Sequence, residues 1–297
     1  MTGDRVKNAK RPNDDRPARS QRRHRRALAA VAQRRRWQAL AAAALASVIA
    51  AAALLIFLPP GQPLRSLVSS SSPGAPRAAI LDQLDLTFPN PGFIRTATDM
   101  LEQAGYEVDY YRGREVTVEL YRNLPEPDYD VVILRVHSGL VAEADETTGS
   151  ETLTDYVSLF TGESYTDSKY VEEVREGPLG VASTYEGGPE YFGIGPTFVE
   201  SRMNGKFDDT TIILMGCDGL RAKRMANAFL NRGAATFISW DKPVSATHTD
   251  AATERLLRHL YVDQHPAPEA VKETMAEVGP DPTFDSELLF YPTGETR

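Results

Sequence analysis

Cysteine is nearly absent from this chain: there is one, Cys217, in 297 residues. A disulfide framework, a cysteine-based zinc cluster and a CxxC redox site are thereby excluded. The single thiol is left with two roles, an inert core residue or a nucleophile. Histidine is sparse too, at five positions, and no internal repeat is present. Compositional extremes are missing: 41% of residues are hydrophobic and 25% charged, which excludes wholesale disorder, a collagen-like chain and a polytopic membrane protein. Acid and base are separated rather than scarce. Residues 1–36 carry 13 Lys and Arg against 3 acids, a net of +10, and residues 78–297 carry 18 against 38, a net of −20. So acidic a domain repels phosphate backbones, and no nucleic-acid partner is expected.

Between the two lies Ala39–Leu58, an apolar run whose only polar member is Ser47. As a helix it extends roughly 30 Å, the hydrocarbon thickness of a bilayer. Arg34, Arg35, Arg36 and Trp37 abut one end and Pro59-Pro60 the other. A basic flank with an interfacial Trp orients a membrane segment with its positive side cytoplasmic. A transmembrane helix is therefore expected over residues 37–58. A cleaved signal peptide is the rival, but its apolar core spans about 7–15 residues and precedes a small-residue cleavage site. Here the run is longer and meets Pro59-Pro60-Gly61, which favours an uncleaved single-pass anchor in the cell membrane. The N-terminus is then cytoplasmic and the C-terminal domain extracytoplasmic. Residues 1–36 read as a basic, disordered cytoplasmic tail, and residues 59–77, with Ser69-Ser70-Ser71-Ser72, as a flexible linker.

From Ala78 short apolar runs alternate with amphipathic segments. Strands are expected at Ala78–Leu81, Tyr106–Tyr111, Asp130–Val136, Thr210–Met215 and Ala234–Trp240. Helices are expected at Phe93–Gln103, Leu220–Asn231, Ala246–Tyr261 and Glu269–Val278, where apolar residues recur at helical spacing. Thr117 either caps a short helix over Val118–Leu124 or joins Val116 and Val118 in a strand. Residues 140–200, polar and rich in Gly, Tyr and Thr, predict loops and short strands. The alternation predicts an α/β domain over residues 78–297, with a mostly parallel sheet covered on both faces. Sites form at the carboxyl ends of such strands.

Two strand ends carry chemistry. Asp130–Val136 runs into His137-Ser138-Gly139, and Thr210–Met215 into Gly216-Cys217-Asp218-Gly219. If these strands are parallel neighbours, the cysteine and this histidine share one sheet edge. A thiol needs a nearby base or positive charge to ionise near neutral pH, and histidine is the usual partner. The flanking glycines admit a substrate backbone and leave amides to face an oxyanion. A helix starting at Leu220 would add its dipole in favour of thiolate. The plainer alternative is a core thiol and a structural histidine.

Three segments together resemble a known family: Leu134-Arg135-Val136-His137-Ser138-Gly139, Ile213-Leu214-Met215-Gly216-Cys217-Asp218-Gly219, and Gly233-Ala234-Ala235-Thr236-Phe237-Ile238-Ser239-Trp240-Asp241. They look like the caspase-like cysteine peptidases, the CHAT domains and separases above all. In that superfamily the histidine follows one sheet strand and the cysteine the next. A helix, a Gly-Ala pair, a strand ending in Trp and another helix come after. The match runs in order over residues 78–265 and is strongest over 210–261. It departs in the long segment between His137 and Cys217, and at Asp218, where separases often have Ser.

The resemblance implies a caspase-like three-layer sandwich in which Cys217 is the nucleophile and His137 the general acid–base. Gly139 and Cys217 would supply oxyanion-hole amides, and no cofactor is implied. The position after Trp240, basic in caspases, is Asp241 here, and separases with Trp-Asp at this place cleave after Arg. Asp241, with Asp218 as a second carboxylate, thus implies Arg or Lys before the scissile bond. A role for Asp241 in capping the turn at Pro243 is the alternative.

The remaining motifs point to little chemistry. His24, His248, His259 and His265 read as tail, surface or structural positions, and no metal site is expected. Glu143, Asp145 and Glu146 read as solvated charge rather than calcium ligands. The glycine-rich stretch from Gly187 to Pro196 lacks the lysine of a phosphate loop. The expected partners are a protein or peptide substrate and the membrane. Two non-enzymatic readings stand beside the peptidase: a caspase-fold binding or sensory module of the envelope, and a scaffold acting through its tail and linker.

Overall fold

The computed structural model describes residues 74–144 and 151–292. The tail over 1–36, the membrane span over 37–58, most of the linker, Asp145 and Glu146 lie outside the described residues. Among the described residues no helix is long and apolar enough to cross a membrane. The chain forms β1 (Arg77–Asp82), α1 (Pro91–Gln103), β2 (Glu107–Arg112), α2 (Val118–Asn123) and β3 (Val131–Arg135). Next come β4 (Ser138–Ala144), β5 (Glu151–Ser164), α3 (Val171–Glu176), β6 (Leu179–Ala182), β7 (Tyr191–Ile194) and α4 (Pro196–Ser201). The last elements are β8 (Thr211–Leu214), α5 (Arg224–Asn231), β9 (Thr236–Trp240), α6 (Ala246–Leu257), α7 (Ala267–Val278) and β10 (Leu288–Tyr291).

The result is a mixed α/β domain around a mostly parallel sheet. Its six strands run in the order β10, β9, β8, β3, β1, β2, and only β10 pairs antiparallel, on β9. Parallel strands covered on both faces are apolar on both, and Val131, Val132, Ile133 and Leu134 of β3 are all buried. The pleat divides such residues between two layers. Ile80, Ile133, Ile213 and Ile238 pack with Phe93 and Leu101 of α1, Leu256 of α6 and Val271 of α7. Leu81, Leu134, Leu214 and Phe237 face the other way.

That second layer departs from expectation. Residues 140–200 hold the expected short strands, but β5 is long and β4, β5, β7 and β6 join in a four-stranded antiparallel sheet in that order. Its inward residues Val157, Leu159, Phe192 and Ile194 join Phe198 of α4 and Phe229 of α5 in one core. Other boundaries also moved. The Thr117 hydroxyl accepts from Leu120 N at 3.1 Å, which makes 118–123 a capped helix. The long helix expected to Tyr261 ends at Leu257 and widens into a π-helical turn over Arg258–Val262. β10 was not foreseen.

Candidate active site

β3 and β8 are parallel neighbours, with Val131 opposite Thr211 and Leu134 opposite Leu214. His137 lies just past the end of β3 and Cys217 just past the end of β8. Both therefore sit at the carboxyl edge of the sheet. They line one cavity of about 380 Å³ whose walls include Leu84, Phe88, Val136, Met215, Val244 and Phe284.

Short side chains bring the two segments together. Ser138 Oγ donates to the Cys217 carbonyl at 2.7 Å. A Cβ on Gly216 would stand 2.5 Å from the Val136 carbonyl oxygen and closer still to Ser138 Oγ, so only glycine fits this crossing. Beyond the cysteine the chain turns on Asp218, at φ +61°. Asp218 N donates to Lys242 O at 3.1 Å and Leu220 N to Trp240 O at 2.9 Å, which ties these residues to the end of β9 instead of a helix. α5 consequently starts at Arg224, not at the expected Leu220. A helix dipole fades within one turn of its end, so the expected support for a Cys217 thiolate is missing.

The histidine is held on several sides. Thr87 Oγ1 lies 2.9 Å from His137 Nε2 and donates to Leu84 O at 3.5 Å. When the hydroxyl donates to Leu84 O, its lone pair accepts from Nε2–H and Nδ1 is the basic nitrogen. Phe88 meets the ring edge-on at 6.0 Å and Phe160 of β5 at 5.6 Å. His137 N donates to Gln83 Oε1 at 2.9 Å, and the buried Gln83 Nε2 has no partner among the described residues. Cys217 Sγ accepts from Val244 N at 3.4 Å and faces Val244 O at 3.7 Å. Thiol and imidazole thus hold separate partners.

Charge reinforces that separation. Burial, aided by the Arg135 cation, lowers His137 to about 4. Burial raises Cys217 above an ordinary thiol; the Val244 backbone bond opposes this, and the Asp218 and Asp281 carboxylates add to it. At neutral pH the pair rests as thiol and neutral imidazole. Arg135 itself is fully buried and bonds Asp82 Oδ1 at 2.6 Å and both Asp250 oxygens at 2.8 Å.

The other expected site residues lie apart from the cavity wall. Gly139 is on β4 opposite Ser158, with open space where a Cβ would stand. No acceptor among the described residues meets Cys217 N. Asp241 Oδ1 accepts from Glu287 N at 2.8 Å and Ser286 Oγ at 3.2 Å, fastening β9 to the segment before β10. Asp218 pairs with Arg221 at 3.3 Å. Neither carboxylate lines the cavity.

Three further residues support the site without belonging to any sequence motif. Thr87 and Gln83 follow β1, and the rule that sites gather at strand ends could have flagged them. Asp281 had no local signal. It is buried, and its carboxylate accepts from Ser245 N and Oγ at 2.9 and 2.6 Å and from Thr283 N and Phe284 N at 2.8 and 2.9 Å. Against burial, which raises it, these bonds lower Asp281 to about 2. The carboxylate thereby positions Ser245 and Phe284, two cavity-lining residues. No family model matches the chain, and the comparison with curated proteins finds no relative.

Proposed function

We propose that the chain is a membrane-anchored, caspase-like cysteine endopeptidase acting through His137 and Cys217. One observation carries this reading: the two side chains arrive at one cavity from the ends of adjacent parallel strands. The order that follows supports the same family, since the cysteine turn leads to α5, Gly233-Ala234, β9 ending in Trp240, and α6. In the reaction Cys217 passes its proton to His137 Nδ1 as sulfur attacks a peptide carbonyl. The C–N bond breaks, the imidazolium protonates the departing amine, and water hydrolyses the thioester. Cys217 N and Gly139 N are the donors proposed for the oxyanion.

The resting pair must be brought together for this chemistry. A peptide side chain filling the apolar cavity is the natural trigger, because it displaces water and crowds the thiol toward the ring. Asp218 and Asp241 would serve an Arg or Lys side chain lying outside that cavity. The separate partners of thiol and imidazole also favour a second reading, a non-catalytic caspase-fold binding or sensory module. An irreversible thiol-directed peptide inhibitor decides between them. The peptidase labels at Cys217 in the wild type and fails to label in His137→Ala. Equal labelling of both, or of neither, leaves the binding module. The anchor is tested separately: protease added to intact cells, with any outer envelope opened, should degrade residues 78–297 and spare the tail. Protection of the acidic domain would overturn the topology.

A further inference from the structure

The far end of α6, roughly 18 Å along the helix from the cavity, gathers side chains that have no motif in the sequence. His259 lies in the π-helical turn after α6, His265 in the following loop, and Glu273 on α7. His259 Nδ1 is 3.2 Å from Asp263 Oδ2 and 3.4 Å from Glu273 Oε2. His265 Nδ1 approaches the same Glu273 oxygen at 2.6 Å. The two rings stack with centroids 5.9 Å apart and planes 5° from parallel. One donor atom from each of His259, His265 and Glu273 falls within 4.8 Å of the others.

His259 is only 7% exposed, yet carboxylate oxygens face both its ring nitrogens. Asp263 and Glu273 stand at Nδ1, and Glu277 Oε1 lies 3.2 Å from Nε2 without hydrogen-bond geometry, leaving Nε2 buried and unpartnered. A neutral imidazole has one donor nitrogen and cannot satisfy acceptors at both. One Glu273 oxygen moreover faces nitrogens of both rings, at 3.4 Å from His259 and 2.6 Å from His265. Arg255 and Arg258 reach only the outer carboxylates, Glu277 at 3.6 Å and Asp263 at 3.9 Å.

A divalent cation resolves the conflict, because neutral imidazoles then offer lone pairs and the carboxylates balance the charge. We propose that His259, His265 and Glu273 bind one zinc ion that clamps the end of α6 to α7, with solvent as fourth ligand. Metal–ligand distances of about 2.0–2.1 Å in a tetrahedral site set the ligand atoms about 3.3 Å apart. The contact of 3.4 Å between His259 and Glu273 fits that spacing, and the one at 2.6 Å between His265 and Glu273 must open. Two imidazoles among the ligands select zinc over magnesium or calcium. Glu277 then takes the outer position that orients Nε2–H of a ligating histidine.

The test uses the full-length protein, stripped with a chelator and titrated with zinc chloride against a chromophoric competitor while thermal unfolding is followed in parallel. Wild type should bind one equivalent at about 10 μM or tighter, and excess zinc should raise its unfolding temperature. His265→Ala and Glu273→Gln alter partly exposed side chains, and each should weaken binding by at least about tenfold. An unfolding temperature without zinc close to that of the wild type checks that each variant is folded. Cys217→Ala, His137→Ala and His24→Ala should bind as wild type does, which separates this site from the peptidase reading. Binding weaker than about 100 μM, or stoichiometric binding that survives the His265→Ala, Glu273→Gln pair, would overturn the proposal.

Discussion

The two sheets of this domain solve the same problem with different sequences. In the parallel sheet, β1 and β3 are buried on both faces, so their residues are apolar in succession, from Ala78 to Leu81 and from Val131 to Leu134. In the antiparallel sheet the pattern is mixed: Val157 and Leu159 alternate with less buried neighbours, while Leu159 to Gly162 are buried in succession where β5 meets His137. The first sheet supplies strand ends on which reactive side chains can be placed. The second supplies a wall: Phe160 packs on the His137 ring, and Phe160 N bonds the His137 carbonyl at 2.9 Å. His137 stands where the chain leaves one sheet and enters the other. A rigid seat and a lateral wall for one side chain thus come from two kinds of sheet.

The largest break in this comparison is expected at the end of β3. Arg135 is wholly enclosed, and Asp82 and Asp250, only 1% and 5% exposed, depend on it for charge balance. Arg135→Met leaves both carboxylates buried beside a neutral side chain and should cost about 3–5 kcal/mol in urea unfolding. A loss under about 1 kcal/mol would mean that this end of the parallel sheet is wetter than described. The same change to neutral side chains at all three positions should recover much of the loss, because no charge is then stranded.

A matched pair of substitutions sharpens the contrast between the sheets. Ile133 of β3 is fully buried, whereas Val181 of β6 is 49% exposed. Ile133→Thr removes apolar contact and buries a hydroxyl, for an expected loss of about 2–3 kcal/mol. Val181→Thr should stay within about 0.5 kcal/mol of wild type. Equal losses would show that β6 is covered at Val181 as fully as β3 is at Ile133.

This contrast also explains how much was legible in the sequence. Runs such as Val131-Val132-Ile133-Leu134 announce central strands, and the residues that follow them announce a site. The four-stranded sheet was hidden because its inward residues are spaced among Gly, Ser, Thr and charged side chains that equally suit loops. Cys217 and His137 could be paired because each ends an obvious strand. The start of α5 was misjudged because Leu220 has the apolarity of a helix residue, while long-range bonds to Lys242 and Trp240 hold that stretch as turns. Asp281 serves the cavity only through tertiary contacts with Ser245, Thr283 and Phe284. No local pattern reports such a role, and the same holds for the meeting of His259 with His265 and Glu273.

A smaller effect is expected before β10. The Asp281 carboxyl is lowered from 3.8 to about 2, so the folded state binds its proton less readily than the unfolded chain. Its stabilising contribution is complete above about pH 4 and is lost as pH falls toward about 2. That shift corresponds to about 2 kcal/mol at neutral pH. Asp281→Asn should remove this contribution and flatten the stability profile over the same acid window. An unchanged acid slope in the variant would assign it to another carboxylate.

The smallest effect tests the seam itself. Thr87 reaches His137 from the side opposite the antiparallel wall in sequence, following β1 rather than β3, and bonds Nε2 at 2.9 Å. If the hydroxyl donates to Leu84 O, its lone pair holds the Nε2–H tautomer and keeps Nδ1 basic. Thr87→Val preserves shape but removes that acceptor. One neutral hydrogen bond is worth about 1 kcal/mol, so the imidazole should lose its favoured tautomer and Cys217 labelling by the peptide inhibitor should slow about fivefold. Thr87→Ser keeps the oxygen and should label at close to the wild-type rate. The discriminating readout is the rate at saturating inhibitor, because a packing defect at the wall would weaken inhibitor binding and leave that rate alone. Faster labelling of Thr87→Val would reverse the assignment, with Thr87 then restraining the ring away from the thiol instead of preparing it for proton transfer.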